Sequence, residues 1–291
     1  MDYVLEVEGL SKKFDDFQLK DISFKLKPGY IMGFIGANGS GKTTTIKLIM
    51  NLLRRDAGKV KIFGKDNIGF EKEIKDRIGF VYDDLYFYDD LTIWEMKDII
   101  APFYSRWDDK VFNNYLDEFG LPGYKKIKDL SKGMKMKFSL SLALSHHADF
   151  IIMDEPTAGL DPIVRREVLD ILYDIIQDEN KSIFFSTHIT TDLEKIADYI
   201  TFIDKGRMVF SKALDEIYDN YKLIKGDRGL LEKLNREEFI GFRVHNIGFE
   251  ALAGVEVVNS LGTTDEIVVE QPSLEDIMYF YTKGKKYAGT N

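Results

Sequence analysis

The most informative segment of the chain reads Gly36-Ala37-Asn38-Gly39-Ser40-Gly41-Lys42-Thr43-Thr44. Its first eight residues fit the phosphate-loop pattern G-x-x-x-x-G-K-[ST]. Such a loop needs glycine because several backbone N–H groups must approach phosphate oxygens closely, which side chains would prevent. The Lys42 side chain is expected to reach the β- and γ-phosphates of a nucleotide, and the Thr43 hydroxyl to bind Mg²⁺. The segment therefore predicts a nucleotide-phosphate site.

The residues on either side of this loop have the patterns of a strand and a helix. The run Tyr30–Ile35 is short and apolar, as in a strand that is buried on both faces. Between Lys42 and Leu53, apolar residues recur at i, i+3, i+4 and i+7, which predicts a helix with one apolar face. The positive N-terminal end of that helix adds to the attraction for phosphate.

Two further apolar runs end in residues that carry chemistry. Phe150–Met153 is followed by Asp154 and Glu155, and Ile183–Ser186 is followed closely by His188. Parallel strands end at the same edge of a sheet, so we expect these side chains to meet the phosphate loop there. Asp154 is expected to hold Mg²⁺ directly or through water, and Glu155 to orient or deprotonate an attacking water. A lone histidine after a strand is more often structural, so the residues by themselves leave the role of His188 open.

Composition narrows the class of protein. The chain has 291 residues, a formal net charge of −9 and no cysteine. The acidic balance argues against nucleic acid as the main partner, because phosphate backbones bind to basic surfaces. Without cysteine, disulfides, thiolate metal sites and cysteine catalysis are excluded, and a reducing compartment is expected. We find neither a secretory signal pattern nor an apolar run of about 20 residues, so no membrane-spanning segment is expected.

The order of patterns along the chain predicts its organisation. Short apolar runs separated by helical patterns are typical of an α/β fold, in which helices cover a parallel sheet. The stretch Leu91–Ala148 has a mostly helical pattern. Towards the end, glycine and charge interrupt short β-like runs at Val255–Val258 and Ile267–Val269. We therefore expect a first domain at residues 1–212 and a small α+β appendage at residues 213–291.

The motifs, taken in order, resemble those of the nucleotide-binding subunit of an ABC transporter, over roughly residues 2–212. Six segments match the motifs of that family. They are Phe14 for the aromatic residue that stacks on adenine, Gly36–Thr44 for Walker A, Leu130–Met134 (Leu-Ser-Lys-Gly-Met) for the LSGGQ signature, Ile151–Glu155 for Walker B with its catalytic glutamate, Ala158–Asp161 for the D-loop, and His188 for the switch histidine.

The resemblance implies a P-loop NTPase core of the ABC type, with an N-terminal antiparallel β subdomain and a helical subdomain at about residues 88–148. It also implies ATP hydrolysis with Mg²⁺, and Lys42, Glu155 and His188 as catalytic residues. The implied nucleotide contacts are Phe14, the Walker A residues Gly36 to Thr44, Asp83, Ser131, Gly133 and Asp161. The implied Mg²⁺ ligands are Thr43, Asp154 and Asp83.

Two departures from the family pattern concern contacts to ATP. Asp83 stands where the Q-loop normally has glutamine. An ionised carboxylate can bind Mg²⁺ but cannot donate a hydrogen bond to the attacking water, which bears on the expected rate and on sensing of the γ-phosphate. In the signature, Lys132 and Met134 replace glycine and glutamine, whereas Ser131 and Gly133 keep the hydroxyl and the backbone N–H that contact phosphate.

The resemblance also implies partners. Two such domains sandwich two ATP molecules head to tail, so a homodimer, or a heterodimer with a similar subunit, is expected. A separate transmembrane permease subunit is implied, with this chain on the cytoplasmic side of the cell membrane. Aromatic residues that are candidates for contact with the permease, and equally for core packing, are Tyr86, Phe87, Tyr88, Trp94, Phe103, Tyr104 and Trp107.

Within the family, the signature, the Q-loop aspartate and the C-terminal run Pro272–Tyr281 look most like bacterial exporter ATPases. The group suggested handles peptides or antibiotics, including the phenol-soluble modulins. Two alternatives are a soluble ABC ATPase that acts on ribosomes or nucleic acid, and a regulatory ATP-binding module. Against the first, the stretch between Lys42 and Asp154 is too short to hold a long coiled coil. Against the second, Glu155 and His188 are both present.

Overall fold

The structure is a computed structural model that describes residues 2–82, 87–261 and 266–284. These residues cluster into two units, Met1–Ser211 and Lys212–Asn291. The strands are β1 (Leu5–Lys13), β2 (Gln18–Leu26), β3 (Ile31–Ile35), β4 (Ala57–Ile62), β5 (Lys65–Asp66), β6 (Ile78–Val81), β7 (Phe150–Asp154), β8 (Ser182–Thr187), β9 (Tyr199–Asp204), β10 (Arg207–Ala213), β11 (Tyr221–Gly226), β12 (Gly241–Val244), β13 (Phe249–Gly254) and β14 (Ile267–Glu270). The α-helices are α1 (Lys42–Ile49), α2 (Glu71–Lys75), α3 (Ile93–Ile100), α4 (Asp109–Glu118), α5 (Lys132–Ser145), α6 (Pro162–Ile175), α7 (Thr190–Ile196), α8 (Leu214–Asn220), α9 (Arg228–Leu231), α10 (Val255–Leu261) and α11 (Leu274–Lys283).

A six-stranded sheet forms the centre of the first unit, in the order β10-β9-β3-β8-β7-β6. Strands β9, β3, β8, β7 and β6 run parallel to one another. Every residue of β3, β7 and β8 is buried, as their continuous apolar sequences predict for strands that are covered on both faces. In the hydrogen-bond register, Ile35 lies opposite Thr187 and Asp154 lies opposite Ser186. The ends of β3, β8 and β7 are therefore neighbours at one edge of the sheet.

An antiparallel sheet, in the order β2-β1-β4-β5, packs against the central sheet. Along β2, apolar residues that are buried alternate with polar residues that are exposed, which is the pattern of a strand with one face in the core. Phe24 of this sheet packs against Phe34 and Phe184 of the central sheet, with ring centroids 5.6 and 5.7 Å away. These three rings join the two layers, since Phe34 and Phe184 are themselves 5.3 Å apart.

Between β6 and β7 the chain forms the helices α3, α4 and α5, each of which begins at a side-chain cap. Thr92 and Glu95 form a capping box at α3, Asp108 caps α4, and Ser131 caps α5. Such caps satisfy the backbone N–H groups that a helix leaves free at its start. In the part of the chain that the structure describes, no helix combines the length and the apolar character needed to cross a membrane.

The second unit is an α+β structure with its own core. Its antiparallel sheet has the order β12-β13-β11-β14, and β14 confirms the strand predicted at Ile267–Val269. The strand predicted at Val255–Val258 is wrong, because these residues begin the helix α10. Val257, Val258 and Leu261 have the i, i+1, i+4 spacing of one helix face, and they pack on the core of this unit. The β-branched run favoured a strand, but packing of that face prevails over local propensity.

The aromatic contact between layers gives a first prediction. Phe184→Ala removes a fully buried ring between Phe24 and Phe34, and should lower the free energy of unfolding by about 3–5 kcal/mol. Tyr124→Ala, at a side chain that is 73% exposed, should stay within about 0.5 kcal/mol of the wild type. Urea unfolding followed by fluorescence of Trp94 and Trp107 reports on the first unit, where both tryptophans lie. Equal losses in the two variants would contradict this account of the core.

Candidate active site

The loop between β3 and α1 is tightly folded around two of its glycines, Gly36 and Gly41. Gly41 precedes α1 with φ of 112°, in the left-handed region that favours glycine. A Cβ on Gly36 would collide with the carbonyl oxygen of Ile203 and the hydroxyl of Ser40. The loop therefore keeps its backbone exposed in one direction, towards the N-terminus of α1. Backbone N–H groups and the helix dipole together favour an anion in that position.

A cavity of about 620 Å³ lies over this loop. It brings together the loop, the end of β7 and the residue that follows β8, which are far apart in the sequence. The lining residues are Phe17, Asn38, Gly39, Gly41, Lys42, Thr43, Thr44, Glu155, Ala158 and His188. The cavity thus brings together the three side chains predicted to be catalytic. Lys42 belongs to the phosphate loop, and Glu155 and His188 lie outside it.

Three side chains of the cavity, those of Lys42, Glu155 and His188, are linked by successive contacts. The Lys42 ammonium donates to the carbonyl oxygen of Gly36 at 2.8 Å, and its Nζ lies 3.2 Å from Oε1 of Glu155. The other oxygen of Glu155, Oε2, lies 2.8 Å from Nδ1 of His188 and accepts the backbone N–H of His188. The side chains of Lys42 and Glu155 are only 6% and 11% exposed, so water screens their attraction weakly. Lys42, which is expected to bind phosphate, is thus paired with Glu155 in this structure.

The backbone at Glu155 is strained. Its φ is 49°, a conformation that is uncommon outside glycine and costs of the order of 1–3 kcal/mol. The surrounding structure holds it there: the Glu155 N–H donates to the carbonyl oxygen of Ser186 at 2.9 Å, and the Glu155 carbonyl accepts from the Ala158 N–H at 3.1 Å. The strained turn directs the carboxylate back over the phosphate loop rather than along the strand.

Asp154 and Thr43 are oxygen donors of the kind that Mg²⁺ prefers. Asp154 is buried at the end of β7, and one of its carboxylate oxygens accepts the hydroxyl of Ser186. Thr43 belongs to the cavity lining, and the other oxygen of Asp154 and the Thr43 hydroxyl are the groups that could hold a magnesium ion. Among the described residues there is no cluster of three or more His, Cys, Asp or Glu side chains that could hold a metal by themselves. Phosphate oxygens and water would supply the remaining ligands.

Ser131, Gly133 and Asp161 are not among the residues that line this cavity. Ser131 lies at the start of α5, where its hydroxyl accepts the Met134 N–H at 3.2 Å. Asp161 caps α6 by accepting two backbone N–H groups, each at 3.1 Å. The structure thus gives both polar side chains a capping role, at helix starts away from the phosphate loop.

The sequence did not predict one residue of the cavity, Phe17, and one predicted nucleotide contact, Asp83, cannot be compared with the structure. Phe14 was expected to stack on a base, but the cavity is lined by Phe17, whose ring centroid is 6.2 Å from that of Phe14. Phe17 directly precedes β2, so the signal was an aromatic residue between an acidic turn and a strand. Asp83, the residue at the Q-loop position, lies outside the described residues.

Similarity to known proteins agrees with this geometry. The sequence model of a family described as ABC transporter matches residues 19–158. The ABC transporter ATP-binding protein YtrB of Bacillus subtilis (strain 168) is 32% identical over 219 residues, which are 75% of each chain. The chain belongs to the family of ABC transporter ATP-binding proteins. The bacitracin transport ATP-binding protein BcrA of Bacillus licheniformis is 33% identical over 236 residues, covering 80% of this chain and 75% of that one.

A solved structure supports the same fold. The ATP-binding subunit of an ABC transporter superposes with a TM-score of 0.67 at 28% identity, covering 74% of this chain and 91% of that one. The family and the α/β fold expected from the motifs are therefore confirmed. As an ABC transporter ATP-binding protein, the chain binds nucleotide and is an ATPase.

The phosphate loop of this ABC ATPase gives the second prediction. Gly36→Ala forces a Cβ against Ile203 and Ser40, and the resulting shift of the loop should weaken ATP binding at least tenfold, as expected when overpacking costs about 1–3 kcal/mol. Gly229→Ala, in the helix α9, has open space around it and should leave ATP affinity unchanged. Titration calorimetry with ATP compares the two. Wild-type affinity in Gly36→Ala would show that the loop tolerates a side chain there.

Proposed function

We propose that this chain is the ATP-hydrolysing subunit of an exporter that moves a peptide or drug-like substrate through a separate membrane permease. It would lie on the cytoplasmic side of the cell membrane. The observation that carries the catalytic part is the cavity in which Lys42, Glu155 and His188 meet at the phosphate loop. The export part is supported by similarity to two proteins named for bacitracin transport, from Bacillus licheniformis and Enterococcus faecalis.

In this proposal the loop backbone, Lys42 and Thr43 bind the triphosphate, and Glu155 acts as the general base. Its carboxylate, 2.8 Å from His188, is oriented by that ring and by the His188 N–H. Phosphate takes over Lys42 when ATP binds, which releases Oε1 of Glu155 to accept a proton from the attacking water. Asp154 and Thr43 would hold Mg²⁺, which would supply charge neutralisation at the phosphates.

We further propose that two subunits, identical or closely similar, enclose ATP between them. Ser131, Gly133 and Asp161 lie away from the cavity of their own chain, so they are available to a nucleotide bound by the partner. Ser131 and Gly133 lie at the start of α5, and the positive N-terminal end of a helix favours an anion such as phosphate. Residues 213–291 would serve as an accessory region that regulates the enzyme or braces the dimer.

The contact with the permease is proposed at an apolar groove of about 360 Å³, next to β6 at the edge of the central sheet. We call it the aromatic groove. Its main residues are Phe80, Tyr82, Phe87, Met96, Phe103 and Tyr104. Three of these were expected from the sequence. Phe103 is 79% exposed and Phe87 packs on Phe138, so the groove has a firm floor and an exposed rim. Exposed aromatic side chains around a pocket are typical of protein contact sites.

Glu155→Gln gives the third prediction. The amide keeps the shape of the side chain but cannot accept the proton, so ATP turnover should fall at least about a hundredfold. ATP should remain bound, and the dimer should accumulate in size-exclusion chromatography with ATP. Glu179→Gln, at an exposed glutamate on the same unit, is the matched control and should turn over ATP normally. Normal turnover in Glu155→Gln would mean that another group is the base.

Phe103→Ala gives the fourth prediction. It should reduce recovery of a multi-spanning membrane protein in a pull-down from detergent-solubilised native membranes, while ATP binding stays unchanged. Tyr124→Ala removes an equally exposed aromatic ring outside the aromatic groove and should pull down the permease like the wild type. Recovery of only soluble partners or ribosomes with the wild-type chain would contradict the transport proposal. Equal recovery with both variants would contradict the groove assignment alone.

A further inference from the structure

Asp192 is a fully buried carboxylate that the proposed mechanism does not use. It lies on α7, four residues after His188. Its Oδ2 accepts the hydroxyl of Thr157 at 2.7 Å, and its Oδ1 accepts from Nε of Arg165 at the same distance. Thr157 is also buried, and belongs to the segment that follows Glu155. A single carboxylate therefore joins three elements: the segment after β7, the helix α6 and the helix α7.

These contacts connect the two segments that carry Glu155 and His188 at a second point. The first point is the Glu155–His188 contact in the cavity. The second is the Thr157–Asp192 hydrogen bond, which is shielded from water. It joins the two segments beyond the ends of β7 and β8, where the hydrogen bonds of the sheet no longer hold them. The strained backbone of Glu155 needs such support from its surroundings to persist.

Arg165 closes this arrangement on its other side. It lies in the first turns of α6, where its backbone N–H donates to the carbonyl oxygen of Asp161 at 2.9 Å. Its Nη2 also donates to the hydroxyl of Thr191 at 3.0 Å. The segment from Thr157 to Asp161 is thus held at both ends by groups that meet at Asp192.

A stability role alone does not account for this cluster. Moving the Asp192 carboxylate out of water costs free energy, and an ion pair with the partly exposed Arg165 gives little net stability over apolar side chains of the same size. What such a pair does provide is a defined geometry, because a charge without its partner is strongly disfavoured in the interior. The geometry that it defines here is that of the segment that carries Glu155.

We propose that Asp192 is a positioning residue for ATP hydrolysis, which acts through the hydroxyl of Thr157 to hold Glu155 in register with His188. The inference rests on the proposed roles of Glu155 and His188. It adds that hydrolysis requires the buried Thr157–Asp192 bond, at a distance from any contact with the nucleotide. Neither residue lines the cavity, so neither touches the substrate.

The test compares Thr157→Val with Thr157→Ser in the full-length chain. Valine matches threonine in shape but lacks the hydroxyl, whereas serine keeps it. Thr157→Val should lower the kcat for ATP hydrolysis by about tenfold to a hundredfold, as expected when a catalytic group is misplaced by about 1 Å, and should leave KM within about twofold. Thr157→Ser should restore most of the kcat.

Thr201→Val is the matched control for loss of a buried hydroxyl. Thr201 is fully buried in β9 and bonds to the Ser211 hydroxyl at 2.8 Å, away from the cavity. It should lower the melting temperature about as much as Thr157→Val does, with no change in kcat. A wild-type kcat in Thr157→Val, or an equal loss of kcat in both valine variants, would overturn the proposal.

Asp192→Asn and the double variant with Thr157→Val test whether Asp192 acts on hydrolysis through Thr157. If both residues act through one bond, the double variant should be no slower than the slower single variant. Fully multiplicative losses would show that Asp192 acts independently of Thr157, and would also overturn the proposal. Glu155→Gln separates this inference from the function on which it rests. If Glu155→Gln abolishes turnover and Thr157→Val does not change it, only the positioning role fails; if Glu155→Gln turns over normally, the base assignment fails.

Discussion

The hydrogen-bond register of the parallel sheet is the constraint on which the site depends. Because Ile35 pairs with Thr187 and Asp154 pairs with Ser186, the chain leaves three adjacent strands at the same level. The next residues along each strand are Gly36, His188 and Glu155. No long-range adjustment is then needed to bring a phosphate loop, an acid and an imidazole together. A shift of one residue in β7 would turn the carboxylate that follows it towards the opposite face of the sheet.

Electrostatic attraction and backbone strain act in opposite directions at the end of β7. Glu155 is held over the phosphate loop by a buried lysine on one side and an imidazole on the other. Its backbone conformation is unfavourable for a residue with a side chain. The contacts of the side chain outweigh the strain of the backbone. The buried cluster around Asp192 adds a further contact to this segment through Thr157. Catalytic geometry at this edge therefore depends on residues that lie behind it as well as on those that face the cavity.

Much of this arrangement could be predicted from the sequence, because it depends on local patterns. The apolar runs of β3, β7 and β8, the glycine-rich loop and the two carboxylates after β7 were each visible in a few consecutive residues. The helix after the loop was predicted to reach Leu53 but ends at Ile49, because Asn51 takes a left-handed conformation with φ of 53°. The amide of Asn67, a partner that no local pattern reveals, donates to the carbonyl oxygens of Leu48 and Ile49. Phe17, the aromatic groove and the Thr157–Asp192 bond likewise arise from contacts between distant segments. The run at Val255–Val258 misled for the same reason, since a neighbouring core decides its conformation.

The strained backbone at residue 155 also has an evolutionary consequence. Backbone conformation alone would favour glycine at that position, since glycine adopts a positive φ without penalty. On the proposed role of Glu155 as general base, the glutamate there reflects a trade-off in which an unfavourable backbone conformation is kept for activity, as is common at enzyme active sites. Stabilising substitutions elsewhere in the first unit would offset the free energy that the strained conformation of Glu155 costs.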